Sequence, residues 1–174
     1  MSKGDKIFLT FLCSGIFVFM TWAATVIVLS IQFDQKCSGH ILNACNATTV
    51  ELASSELRTA LDYLEEKELI TGYTSILYKT EKDNIGFFYN NVKNCYEYVE
   101  TLKEQNIEPF NQALQLQSIK DKLVAELGHK NGKAEFIRKP QGISRYPHNL
   151  AYCIWVSSSI LLLIIGSILC FKID

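Results

Sequence analysis

The sequence predicts an all-α membrane protein in which two transmembrane helices flank a small extracytoplasmic helical bundle. Three observations carry this. Ile7–Phe33 runs for 27 residues without a charged side chain, and Leu150–Phe171 is a second uncharged run of 22. Each is long enough to cross a ~30 Å hydrocarbon core, which takes roughly 20 helical residues. Between them, Asp34–Asn149 holds 14 of the 17 Lys/Arg and 16 of the 18 Asp/Glu, so the near-zero mean hydropathy averages two unlike materials. The 116 residues of this middle segment suffice for one small core.

The expected layout is a cytoplasmic tail at 1–6, a first span at 7–33, the domain at 34–149, a second span at 150–171 and a cytoplasmic tail at 172–174. Ile7–Phe33 is longer than the apolar region of a cleaved signal peptide, and Trp22-Ala23-Ala24-Thr25 is not an A-x-A cleavage site, so it reads as a retained signal-anchor. Lys3 and Lys6 precede the first span, whereas Lys36 beyond it is offset by Asp34. The positive-inside rule therefore places the N-terminus in the cytoplasm and the domain outside. Five basic residues, Lys130, Lys133, Arg138, Lys139 and Arg145, crowd the approach to the second span and pull the other way, but the rule weakens for loops longer than about 60 residues. The same five are candidate contacts for lipid headgroups, each worth about 1 kcal/mol beside an anionic surface.

Within the domain, Gln35–Asn46 reads as a short connector without periodicity. Thr48-x-x-Glu51 matches a capping box, opening a helix from Thr49 to about Lys67. Val50, Ala53, Leu57, Ala60, Leu61 and Leu64 form its apolar face. Gly72 is a natural stop, and Tyr73–Tyr78 is rich in β-formers but too isolated for a sheet. Thr80 or Asp83 caps a second helix to about Gln105, with Ile85, Phe88, Val92, Cys95, Tyr96, Val99 and Leu102 on one stripe. Pro109 suits the first turn of a third helix, on which Leu114, Leu116, Ile119, Leu123 and Leu127 face the core, ended by Gly128. Gly132, Pro140, Gly142 and Pro147 then preclude a long helix and leave an extended tail, with at most a short strand at Glu135–Arg138. The simplest assembly packs the three amphipathic helices on each other, joined by an extension of the first span.

Little in the sequence points to reaction chemistry. His40, His129 and His148 are isolated, and G-x-S-x-G, H-E-x-x-H and phosphate-loop patterns are absent, so neither an enzyme nor a cofactor is expected. Cys37-x2-His40-x4-Cys45 has soft ligands but no paired CxxC or fourth ligand, so no metal site is assigned. Cys37, Cys45 and Cys95 are candidate disulfide partners if the domain is extracytoplasmic, with the pairing undetermined by spacing. Asn46-Ala47-Thr48 matches a glycosylation acceptor. Tyr73, Tyr78 and Tyr89 are the aromatics best placed for a recognition surface. A net charge of −1 argues against a nucleic-acid partner. The spans carry no Asp, Glu, Lys, Arg or His for an ion pathway, but they carry small residues: Ser14, Gly15, Ala23, Ala24, Ser157, Ser158, Ser159, Gly166 and Ser167.

Thr49–Ala53 (TVELA), Ala60–Glu65 (ALDYLE), Gly72–Tyr78 (GYTSILY) and Ile85–Asn91 (IGFFYNN) resemble small uncharacterised bacterial two-span membrane proteins, and the resemblance implies no activity. In layout the chain is similar to the input halves of chemoreceptors and sensor kinases. With only Lys172–Asp174 after the second span, output is expected through a partner. The leading functional expectation is a non-enzymatic accessory or scaffolding subunit whose outer domain binds another membrane protein or a second copy, in contact with membrane lipid. The alternative is a ligand-sensing input module, and a third reading is an auxiliary channel subunit.

Overall fold

The computed structural model describes residues 3–105, 109–129 and 132–173. It divides into two compact units: Met1–Ser30 with Pro147–Asp174, and Ile31–Tyr146. In chain order the helices are α1 (Lys3–Phe33), α2 (Gly39–Cys45), α3 (Val50–Glu66), α4 (Ile85–Glu104), α5 (Pro109–Leu123) and α6 (Asn149–Ile173). A two-stranded antiparallel hairpin, β1 (Val124–His129) with β2 (Gly132–Ile137), follows α5.

The first unit contains two helices long and apolar enough to cross a membrane. At 1.5 Å per residue, α1 extends about 45 Å and α6 about 37 Å, both more than the hydrocarbon thickness. Small residues let the two helices approach closely. A Cβ on Gly15 would lie 2.7 Å from Leu163 Cδ2, and one on Gly166 would lie 2.6 Å from Phe11 Cβ, so a side chain at either point would force its neighbour to shift. Ser159 is buried in the same contact, its backbone carbonyl 3.3 Å from the Gly15 position. The hydroxyls of both helices donate back to carbonyls three or four residues earlier: Thr21 to Val18 at 2.9 Å, Thr25 to Thr21 at 2.8 Å, Ser157 to Cys153 at 2.8 Å and Ser167 to Leu163 at 2.9 Å. Such bonds remove the cost of a bare hydroxyl in hydrocarbon.

The second unit is built on one buried cluster running from Phe33 to Ile143. The expected connector at Gln35–Asn46 is helical instead. A π turn at Asp34–Ser38, closed by the Gly39 N–H donating to the Asp34 carbonyl, leads directly into α2. Phe33, Cys37, Ile41 and Cys45 recur every four residues and are all buried. A regular α-helix advances about 100° per residue, so a four-residue repeat drifts by about 40° each step, and the wider π turn corrects that drift.

α3 presents Val50, Ala53, Leu57, Ala60, Leu61 and Leu64 to the core, together with Ser54. Its cap is Thr49, whose hydroxyl accepts from Leu52 N at 3.3 Å, so the helix starts one residue beyond the Thr48 capping box. Likewise α4 is capped by neither Thr80 nor Asp83. Those two bond each other (2.5 Å) in a 3-10 turn at Glu81–Asp83, and Asn84 Oδ1 accepts from Phe87 N at 3.0 Å. α5 buries Leu116, Ile119 and Leu123 while Leu114 faces solvent. It ends at Leu123 rather than Gly128, because the chain turns extended and Val124 pairs across the hairpin with Ile137, both buried. Leu127 therefore stands in β1, and the expected strand at Glu135–Arg138 begins earlier, at Gly132. Helices still carry the fold.

Leu64 is fully buried and Leu52, on the same helix, is nearly half exposed. We expect Leu64→Ala to destabilise the full chain by about 2–5 kcal/mol. Leu52→Ala should stay within about 0.5 kcal/mol of the parent. Denaturant titration of the detergent-solubilised protein distinguishes the two.

Candidate functional site

The segment Leu69–Asn84 joins α3 to α4 and is ordered by backbone bonds to its own ends. Thr74 N donates to Asp83 O and Ile85 N to Gly72 O, each at 2.9 Å, and Tyr73 pairs with Asn84 in a single bridge. Gly72 has φ +110°, a conformation side chains rarely adopt, and any Cβ there would run into the Tyr146 ring. Between these anchors, Ile76, Leu77 and Tyr78 project outward; Leu77 is 84% and Tyr78 78% exposed. Ile70, Tyr73 and Phe87 (56% exposed) extend the same apolar surface. Lys79 Nζ lies 5.3 Å from the centre of the Tyr73 ring, within cation–π range.

Beside Phe87 is a half-open cleft of about 480 Å³, lined by Glu81, Lys82, Asn84, Phe87, Phe88, Arg138, Lys139 and Pro140. Its lining combines the two phenylalanines and the proline with side chains of both charge signs. Lys139 forms an ion pair with Asp34, donates to Ser38 Oγ at 3.1 Å, and sits 5.1 Å from the centre of the Phe33 ring. Phe33 in turn meets Tyr63 of α3 edge-on at 5.9 Å. The hydrogen bonds of Arg138 N to Leu123 O and of Lys139 N to Ile137 O hold this strap at the end of the hairpin.

The residues singled out in the sequence are thus separated. Tyr73 and Tyr78 share the exposed surface. Tyr89 does not, because its hydroxyl donates to Glu65 at 2.8 Å, a bond that, with burial, pushes the phenol upward from its ordinary range. Of the five basic residues, Arg138 and Lys139 reach the cleft, Arg145 closes a 3-10 turn at Ile143–Arg145, Lys133 stands in β2, and Lys130 lies outside the described residues. Cys37 and Cys95 are buried free thiols, so neither forms the bridge the sequence left open, and Cys45 is buried in the same cluster. His40 Nδ1 lies 2.6 Å from Glu56 Oε2, an α2–α3 tie rather than a ligand set with the cysteines. Among the described residues no group of three His, Cys, Asp or Glu is arranged to hold a metal ion. Asn46 Oδ1 accepts from Lys120 Nζ at 3.0 Å.

A polar triad crosses from α3 to α4. Ser54 Oγ donates to Glu100, and Lys103 Nζ donates to Glu100 at 2.7 Å and to Ser54 Oγ at 2.9 Å. The Lys103 bond first, then the Ser54 bond, holds the Glu100 carboxyl below its ordinary range. Its geometry is that of a structural tie at a helix–helix seam.

The second unit defines a largely helical domain with one buried apolar cluster and an exposed apolar α3–α4 connection, in a chain with two helices long and apolar enough to span a membrane. Comparison with protein-family models, curated proteins and solved structures finds no match.

Glu100 and Cys95 yield separate expectations. A carboxyl whose pKa is lowered on folding contributes stability above its unfolded pKa and loses it as pH falls through the folded value. Site-specific NMR titration should therefore place the Glu100 midpoint below that of an ordinary glutamate, and Lys103→Met should move it upward. Burial pushes the Cys95 thiol up, with Lys122 opposing more weakly. A maleimide should therefore modify Cys95 only after denaturation, the trapped fraction being read by mass spectrometry.

Proposed function

We propose that the protein is a non-enzymatic two-span membrane protein whose helical outer domain serves as an accessory or scaffolding subunit for another membrane protein. The observation that carries this reading is that the polar side chains of the domain pair with one another around one buried apolar cluster. The buried cluster passes through α2, α3, α4 and α5, and among the described residues the buried polar groups of the domain are Ser54, engaged by Glu100 and Lys103, and Thr74 in the α3–α4 connection. Side chains that would have to converge on a substrate are committed elsewhere: His40 to Glu56, Glu100 to Lys103, and Asp34 to Lys139. A ligand-sensing module would need an internal cavity among the bundle helices, a region where Leu57, Leu61, Val92 and Val99 are buried.

The termini lie in the cytoplasm and the domain outside, on the strength of Lys3 and Lys6 before the first span. The helix pair α1–α6, matched through Gly15 and Gly166, works as a prepacked membrane anchor. Its outward residues, among them Phe17, Met20, Ile154 and Ile168, are left for lipid or a partner's helices.

Mild crosslinking of native membranes followed by affinity purification should return the chain with a second membrane protein in reproducible stoichiometry. A lone monomer under gentle solubilisation would overturn the accessory-subunit reading. Orientation has its own test: Asp62→Cys, on the exposed face of α3, should react with an impermeant maleimide in intact cells. The native Cys37 and Cys95 are too buried to report it.

A further inference from the structure

We infer that the connection between α3 and α4, from Ile70 to Phe87, is a foot that seats on the interfacial region of a phospholipid bilayer, with lipid phosphates as the partners of Lys82 and Arg138. The exposed composition is the first ground. Ile70, Tyr73, Ile76, Leu77, Tyr78 and Phe87 are all exposed on this one connection and its edges, whereas the other exposed large apolar residues of the domain among those described, Ile31, Leu52 and Leu114, lie on separate helices. A contiguous apolar surface rimmed by charge marks a partner or membrane contact, whereas scattered singles do not.

Position within the domain chooses between those occupants. Phe33, the last residue of the first uncharged run, packs against Tyr63 at the end of α3 from which the foot emerges. Tyr146, three residues before α6, packs on Gly72 inside the foot. Both chain exits from the domain toward the uncharged helices therefore border this same apolar surface. Within the domain the foot thus lies at the end where the chain leaves for the uncharged helices, and that end is the one we assign to the bilayer.

Charge adds the headgroup component. The cleft beside Phe87 and Phe88 carries Lys82 and Arg138 on its rim, with Lys139 committed to Asp34. Glu81 also lines it, and Asp83 is bonded to Thr80, so the charge is mixed and the attraction to anionic lipid modest. Lys79 lies over the Tyr73 ring, giving the foot an aromatic body with a cationic tip, the amphipathic combination enriched at membrane interfaces.

The test uses the full chain reconstituted into vesicles of phosphatidylcholine with or without phosphatidylglycerol. The photoreactive residue benzoylphenylalanine replaces Leu77 or, as the control, Gln105, which follows α4 at its far end, about 30 Å from the foot. Leu77 is too exposed for its replacement to disturb the core, and an unchanged melting temperature verifies this. Illumination should give a phospholipid adduct at position 77, identified by intact mass, several-fold above that at position 105. Lys82→Glu with Arg138→Glu should lower the position-77 yield in the phosphatidylglycerol vesicles by about fivefold for each charge acting on the surface, and much less in phosphatidylcholine alone. Excess inorganic phosphate should leave the yield unchanged, since the partner is the bilayer rather than a free anion. Equal lipid adduct at the two positions, or a protein adduct alone at position 77, overturns the proposal. The protein-adduct result would leave the accessory-subunit reading intact and assign the surface to a partner protein or a second copy.

Discussion

The domain depends on a column of side chains that begins inside the first apolar helix. Phe33, Cys37, Ile41 and Cys45 are spaced by four, and that spacing lines up on one face only if the helix widens once along the way. The π turn at Asp34–Ser38 supplies the widening. The column makes α2, only seven residues long, a full member of the core. A helix that short is not stable alone in water; here the preceding helical turns supply its nucleus.

Around this core the polar contacts act as clamps. Lys139 ties the strap after the hairpin to Asp34, His40 ties α2 to Glu56 of α3, Tyr89 ties α4 to Glu65, and the Ser54–Glu100–Lys103 triad fixes α3 against α4. Each joins two different elements through partly exposed side chains, where such pairs contribute little to stability. Their effect is on register, since each has one geometry in which donors and acceptors meet. The apolar end of the domain is organised differently. Its backbone is held by the Gly72, Asp83 and Asn84 bonds, while Leu77 and Tyr78 are left exposed. Rigid presentation of apolar side chains to solvent is unfavourable unless something covers them. That contrast gives the α3–α4 connection its functional weight.

The sequence was most legible where a long periodic pattern met a single environment. The uncharged runs and the faces of α3 and α4 follow directly from apolar spacing, because burial on one side of a helix leaves a 3–4 residue signature. Caps were displaced by one to four residues, since Thr48 and Thr49 are adjacent and chemically equivalent candidates, and Asn84 competes with Thr80 and Asp83. The hairpin had a signal in Asn131-Gly132, a pair favoured in tight β-turns, but β1 contains Glu126 and Gly128 and lacks a β-branched run, so helix periodicity from α5 overran it. The connector at Gln35–Asn46 showed no period because a π turn breaks the α-helical count on which periodicity is judged.

By itself, the sequence determined that two uncharged segments bracket a polar helical domain, because hydrocarbon thickness and core burial impose length and spacing rules that can be read one residue at a time. Only the tertiary structure decided which aromatics are available. Tyr89 is spent on Glu65 and Tyr63 on Phe33, whereas Tyr78 beside Leu77 is left outward. It also decided which basic residues of the pre-helix run share a cleft with Phe87, because that depends on a hairpin pairing Val124 with Ile137 and delivering Arg138 and Lys139 to the far end of α3. Such proximity is set by long-range closure of the chain, and composition and local spacing do not encode it.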